Sequence, residues 1–402
     1  MSASANVVRT FFDLARVAKT RLSGTRGERA LQEAIAERLE KSGHEIEWQP
    51  FAFPRHIYGC HALHFGLALA FVALARFQPL AAAAGELFVA FSFYSEVVWR
   101  RSILRKLWPR TASQNLIVTK RARGTMRRRV VFVAHADSAY TGFMFKPAIV
   151  PLIAKPSPVR FLEKQLRLPW FCVLALAAWS VGEWALGLPF WPSLIFALPP
   201  FLVFALNGEV VVRNTVVPGA ADNLSGCAAQ VALAEAWAAR PPSDLEVVWV
   251  FSGCEEAGAG GATHLARTSG WSPKETTVLV LDTLTNGTLF MLEEGELFRE
   301  RRPTELGSLV TLVAAGTSQR VPTWYTIPAG ATDALPFLRE GFEGLALTCV
   351  DESIGAPRNY HHPNDTADRA DPAQLERSTR LVESILHELA KDDARSLDLA
   401  AE

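Results

Sequence analysis

The run from Val130 to Ala134, Val-Val-Phe-Val-Ala, is apolar at every position and rich in strand-favouring residues. That is the pattern of a strand covered on both faces. It stops at His135-Ala136-Asp137. Side chains two apart on an extended chain share a face, so an imidazole and a carboxylate stand together where the strand leaves its sheet. The same pattern recurs downstream: Asp244–Phe251 reads as a strand running into Ser252-Gly253-Cys254-Glu255-Glu256, and Thr277–Leu281 as one running into Asp282. His44–Trp48, Asn115–Thr119, Pro322–Tyr325 and Gly344–Val350 are further strands. Helical spacing predicts a helix from Val7 to about Lys19 and another opened by Thr25 or Gly27. In the second, Leu31, Ile35 and Leu39 share a face and Gly43 is the stop. Cys227–Ala239, Gly258–Arg267 and Pro372–Leu389 are also helical. Strands alternating with helices predict an α/β fold: a mostly parallel mixed sheet between helices. The carboxyl ends of the strands then share one edge, where open α/β sheets bind ligands.

A second pattern interrupts the first. Ala62–Phe77 and Leu80–Trp99 are almost wholly apolar, and so are Trp170–Leu186 and Leu188–Leu206. A membrane-crossing helix needs about 20 such residues, so the four segments predict two inserted hydrophobic helical hairpins. A buried helical layer, or a cap over the site, is the other reading of the same pattern. The hairpins divide the chain into an α/β domain made of 1–55, 112–142 and 208–402, with insertions at 56–111 and 143–207. Loops tolerate such insertions.

Charge orients the hairpins. The turn inside the first carries only Arg76, and that inside the second carries no Lys or Arg. Arg55, Arg100, Arg101, Arg105, Lys106, Lys164, Arg167 and Arg213 flank them. The positive-inside rule then puts the hydrophilic domain in the cytoplasm of a multi-pass protein of the cell (inner) membrane. Residues 100–129 hold eleven basic residues and no acid, a run that would draw anionic lipid headgroups or serve as a solvated face. The formal net charge is zero, so no global field draws nucleic acid. Five scattered cysteines with no C-x-x-C fit a reducing compartment. The N-terminus lacks the basic start and apolar core of a cleaved signal.

His135, Asp222, Glu255 with Glu256, Asp282 and His361 all fall at strand ends or in the loops after them. Singly each is ordinary; an Asp at a helix start is usually a cap. Together they are the nitrogen and oxygen ligands that zinc takes when thiolate is absent. One carboxylate can bridge two ions, each ion adding an imidazole and a further carboxylate, with one glutamate left as a base.

The motifs His135-Ala-Asp137-Ser, Gly219-Ala-Ala-Asp222-Asn-Leu-Ser-Gly226, Glu255-Glu256-Ala-Gly258, Leu281-Asp282 and Tyr360-His361-His-Pro-Asn-Asp365-Thr resemble the M28 metallopeptidases, the dizinc aminopeptidase clan. The resemblance covers roughly 1–55, 112–142 and 208–390 and implies a zinc-aminopeptidase, phosphorylase/hydrolase-like fold. It further implies two Zn²⁺ ions, or another divalent metal in their place, held by His135, Asp222, Glu256, Asp282 and His361, with Asp222 bridging. Glu255 is the implied general base, and Asp137 the orienting partner of His135. His361 rather than His362 is the implied ligand, because it follows Tyr360 and precedes Asp365 by four residues. The implied reaction is hydrolysis of a peptide or small aminoacyl substrate at a free N-terminus, beside membrane lipid and without nucleic acid.

The chain also departs from that pattern. Where the family often shows Ser-Asp-His-x-Pro-Phe, this chain has Thr332-Asp333-Ala334-Leu-Pro-Phe337; the absent histidine bears on a substrate contact that the resemblance implies and on no metal ligand. A single-zinc glutaminyl cyclase, using Asp222, Glu256 and His361, is a second reading. A non-catalytic binding domain of the same fold is a third. Cys254 lacks the His-Asn partners of a thiol nucleophile and reads as buried. Ser225 lacks a G-x-S-x-G elbow, Gly258-Ala-Gly260-Gly261 lacks the dinucleotide spacing, and His264 reads as a helix-face residue.

Overall fold

The computed structural model describes residues 2–99, 101–238, 244–317 and 319–398, with side chains to 391. Arg100 and Ala239, part of the expected basic flank and of an expected helix, lie outside the described residues.

In chain order the elements are α1 (Ala3–Ala15), α2 (Arg26–Lys41), β1 (Glu45–Pro54), α3 (Ile57–Ala75), α4 (Pro79–Val97), β2 (Arg110–Lys120), β3 (Arg128–His135), β4 (Tyr140–Thr141), α5 (Val150–Ala154), α6 (Arg167–Leu186), α7 (Trp191–Arg213), β5 (Thr215–Val216), α8 (Ser225–Trp237), β6 (Leu245–Ser252), α9 (Gly260–Thr268), β7 (Thr276–Asp282), β8 (Thr288–Glu293), α10 (Thr304–Ala315), β9 (Trp324–Thr326), α11 (Ala334–Arg339), β10 (Glu343–Val350) and α12 (Pro372–Asp398). The expected strands and helices are present, with ends shifted by a few residues. β8 and α10 are additions that the sequence pattern does not predict, as are the short elements β4, α5, β5 and α11.

The main sheet runs β1-β2-β6-β3-β7-β10-β8-β9. Its centre, β6-β3-β7-β10, is parallel; β1 pairs antiparallel with β2, β2 with β6 and β8 with β10, while β9 lies parallel to β8. The unbroken apolar run of β3 follows from its central place. Val130, Phe132 and Ala134 face one core, beneath α1, α2, α8, α10 and α12. Val131 and Val133 face the other, beneath α9 and α11. α8 is buried along its length, lying between the sheet and α1, α2 and α12. That explains a helix of small and apolar residues with no polar face.

Two necks lead out of the α/β body. The first is the end of the β1–β2 ladder, where Pro54 pairs with Arg110. The second is the β4–β5 ladder, where Thr141 pairs with Thr215. Beyond them α3 packs on α4 and α7, and α6 packs on α4 and α7, closing a ring of four helices. Phe65, Val89, Phe93 and Val173 fill its interior, while Phe88, Phe91, Trp184, Ile195, Leu198 and Phe201 face outward. The helices have 19, 19, 20 and 23 residues, and all four are long and apolar enough to cross a membrane. Pro199 and Pro200 sit inside α7, as membrane helices tolerate. Not every basic residue of 101–129 is an unpaired surface charge. Arg105 is buried, and Arg121 and Arg129 pair with Glu45 and Glu246.

Candidate metal centre

β3 carries His135 to the carboxyl edge, and β7 in the next position carries Asp282. His135 Nδ1 lies 3.2 Å from the backbone carbonyl of Asp137, which leaves Nε2 to face the acids. The Asp137 carboxylate is 3.6 Å from the ring. Its closer bonds go elsewhere, accepting from Ser23 Oγ at 2.6 Å and from the amides of Glu255 and Glu256 at 3.1 Å each. Asp137 therefore contacts His135 chiefly through its main chain, and its carboxylate sets the acidic turn after β6. That is a refinement of the role expected of it.

Asp222 is held by a folded loop. Gly219 opens it at φ +64°, where a Cβ would lie 2.4 Å from the Asp222 carbonyl oxygen, so the position requires glycine. Asp365 accepts from the amides of Ala221 and Asp222 at 2.8 and 3.1 Å. Asn223 ties this loop to the end of β7: its amide donates to Leu281 O at 2.8 Å, and its carbonyl accepts from Gly226 and Thr283. Gly226 lets α8 sit against that strand, since a Cβ would lie 2.3 Å from Leu281 O. The Asp-Asn-Leu-Ser-Gly motif is thus a clamp that fixes Asp222 relative to Asp282.

The groups converge. His135 Nε2 is 3.1 Å from Asp222 Oδ1 and 3.9 Å from both Asp282 Oδ1 and Glu255 Oε2. His361 Nε2 is 3.4 Å from Asp222 Oδ2 and 3.3 Å from Glu256 Oε2. Two clusters capable of holding a metal, His135–Asp222–Asp282 and Asp222–Glu256–His361, share Asp222 through its two oxygens, and a third puts Glu255 with His135 and Glu256. All seven residues singled out in the sequence lie together. His362 is not among these clusters; its Nδ1 accepts from the amide of Asn364. Cys254, Thr283 and His361 take left-handed φ values of 56°, 49° and 48°. Non-glycine residues there carry strain that tends to gather at functional sites.

The charges do not balance without a cation. Burial raises Glu255 well above the usual carboxylate range, reinforced by Asp333 and Asp282 against the attraction of His135. Burial and Asp222 likewise raise Glu256 and push Asp282 up to about 7. Asp222 is the exception. Burial opposes its ionisation, but the imidazoles of His135 and His361 outweigh burial and hold it below the usual range. The nearby buried guanidinium of Arg21 directs its donors to the carbonyls of Ala136, Pro218 and Gly219, so it does not neutralise the acids directly. Glu256 Oε1 is buried with no hydrogen-bond partner. Two imidazoles among four carboxylates, with an unpaired acceptor, fit a site built for divalent cations.

The model of peptidase family M28 matches residues 208–386. That segment belongs to peptidase family M28. The fold extends the likeness over nearly the whole chain. The aminopeptidase from Aneurinibacillus sp. strain AM-1 superposes with a TM-score of 0.57 at 15% identity, covering 96% of this chain and 93% of that one. The zinc aminopeptidase BSAP from Bacillus subtilis gives 0.57 at 14%, with 96% and 95% covered. Porphyromonas gingivalis glutaminyl cyclase gives 0.56 at 12%, with 96% and 98% covered. No curated protein matches the chain by sequence. By sequence the M28 likeness thus covers residues 208–386, and by fold it covers nearly all of the chain.

Several contacts of this M28 site have no signal in sequence. Tyr58, in the first turn of α3, places its hydroxyl 3.0 Å from His361 Nδ1. Arg21 binds the His135 and Asp222 loops together, and Glu28 accepts from the amide of Cys254 at 3.0 Å. Cys254 is buried, and burial raises its thiol well above the usual range, as expected of an inert cysteine. Asp333, which precedes the missing histidine, is buried and accepts from Ser252 Oγ.

Proposed function

We propose that this protein is a membrane-associated zinc aminopeptidase, in which His135, Asp222 and Asp282 hold one ion and Asp222, Glu256 and His361 the other. The observation that carries this reading is the pair of ligand clusters sharing Asp222. Zinc held there would supply a water of lowered pKa and polarise the scissile carbonyl. Glu255 lines the same cavity and completes neither of the two clusters that share Asp222. It takes the proton of the attacking water and returns it to the leaving amine. Asp137 fixes the Glu255–Glu256 backbone, and Tyr58 and the Asp137 carbonyl hold the two imidazoles by Nδ1 so that Nε2 faces the ions. A cavity of about 290 Å³ suits the end of a peptide better than a running chain.

The α/β body is the catalytic unit, and residues 56–111 and 143–207 are membrane insertions. The basic residues that frame the hairpins, Arg55, Arg101, Lys106, Lys164 and Arg213, support a cytoplasmic site by the positive-inside rule. A second reading is favoured by one fact: the Asp222–Glu256–His361 cluster is complete on its own, as a single-zinc glutaminyl cyclase would need.

Metal content measured beside activity on aminoacyl and N-terminal glutaminyl peptides separates these. About two ions per chain with release of N-terminal residues is the expected result. One ion with ring closure of N-terminal Gln would replace it with the cyclase. Neither metal nor turnover, after purification in zinc, would leave a binding domain.

A further inference from the structure

The cavity beside the acids has walls of two kinds. One is the ligand set. The other comes from the helical insertions: Ile57 and His61 from the start of α3, Val203 and Leu206 from the end of α7, and Val150 and Ile153 from α5. The bundle is therefore part of the pocket and not merely an anchor beside it.

The segment that closes this side, 143–168, is two-faced. Inward, Phe145 is buried with its ring 4.7 Å from that of His361, and Val150 is buried in the lining of the same cavity. Outward, Phe143, Leu152, Val159, Phe161, Leu162 and Leu168 are all exposed, with Lys146, Lys155 and Arg160 exposed among them. Six large apolar side chains facing outward from so short a stretch have no packing reason in water. Interleaved with basic residues they suit a segment lying in the headgroup layer. Its position agrees. The segment runs from the β4–β5 neck directly into the start of α6 and packs on α6 and α7, and Trp99, just past the end of α4, is also exposed, as in an interfacial aromatic belt.

We propose that the substrates are peptides tethered to the bilayer, by apolar residues or an acyl chain, whose amino-terminal ends reach the acids laterally under the 143–168 segment. This rests on the hydrolase reading above. A tethered peptide is already concentrated at the level of the cavity mouth, and its apolar end matches the walls that α3, α5 and α7 supply. A free peptide must find the same entrance from solution.

The test uses the full chain, zinc-loaded, in phosphatidylcholine–phosphatidylglycerol vesicles. The probes are one leucyl peptide and the same peptide carrying a palmitoyl group near its C-terminus. The tethered form should show kcat/KM at least ~10-fold higher. In the double variant Leu152→Asp/Phe161→Asp, at outward-facing positions, that ratio should fall toward one while cleavage of the free peptide is kept, which also reports folding. Equal rates on both peptides in the wild type would overturn the proposal and leave the hydrolase standing. A high ratio that survives the double variant would also overturn it, since enrichment on the vesicle would then explain the effect. Cleavage of neither peptide would remove the hydrolase reading and this one with it.

Discussion

The hydroxyl of Tyr58 lies 3.0 Å from Nδ1 of His361, joining the first turn of a bundle helix to a side chain of the metal centre 303 positions away. With Nε2 directed at Asp222 and Glu256, Nδ1 must carry the proton when a metal is bound, and the phenol oxygen accepts it. Tyr58→Phe removes that acceptor at nearly constant volume. Zinc affinity should drop by ~10- to 100-fold, read by competition with a chromogenic chelator. Unchanged affinity would mean the tyrosine only packs there.

Glu255 is near the ligands without completing either of the two clusters that share Asp222. Glu255→Gln keeps the shape and the main-chain bond to Asp137 but removes the base. Turnover should fall by ~10²- to 10⁴-fold with metal content unchanged. A metal-replete Glu255→Gln enzyme of near normal activity would take the proton-transfer role away from this residue.

The parts of the site readable from sequence are those that local pattern carries. β3, β6 and β7 are apolar runs that end abruptly in His, Glu and Asp, and parallel neighbours bring such ends together by geometry alone. What escapes is tertiary. Arg21 and Tyr58 act on partners far along the chain, and nothing near them in sequence marks that. The apolar pattern starts the first bundle helix at Ala62 rather than Ile57 because His61 interrupts the run, and His64 breaks it again just inside. In the fold His64 is satisfied within the bundle, by Cys60 O at 2.7 Å and Ser92 Oγ at 2.9 Å. β8 leads directly into Glu293-Glu294, and α10 mixes Gly307 with β-branched residues. Neither shows a clean period, although Leu306, Val310 and Ala314 do form one buried stripe.

Arg105 links the bundle to the acidic turn after β6. Its Nη1 is 2.6 Å from Glu96 Oε1 at the end of α4, and its Nη2 donates to Pro54 O and Ala257 O. Both charged side chains are buried. Arg105→Met leaves a carboxylate in a dry site and should cost ~3–5 kcal/mol, seen as a lower melting temperature in detergent micelles. Adding Glu96→Gln should restore part of that loss by removing the orphaned charge. A double variant no more stable than the single would assign the effect to the Pro54 and Ala257 contacts instead.

His56 makes the α3 start sensitive to acid. Its Nδ1 accepts from the amide of Gly59 at 3.3 Å, capping the helix, and its ring stacks on Tyr140 at 4.3 Å. Burial, with help from the Arg55 charge, lowers its pKa from 6.5 to about 4. The folded state thus binds fewer protons than the unfolded chain between those values. The stability this group contributes is fully present above pH 6.5 and is lost as pH falls toward 4. Protonation also ends the cap, because an imidazolium has no acceptor. Amide exchange in residues 57–61 should therefore quicken, relative to the α/β core, as pH falls through that window, after correction for intrinsic rates. His56→Asn keeps a capping oxygen that does not titrate, so in that variant the acid-dependent change should vanish. Its persistence there would place the acid sensitivity elsewhere in the neck.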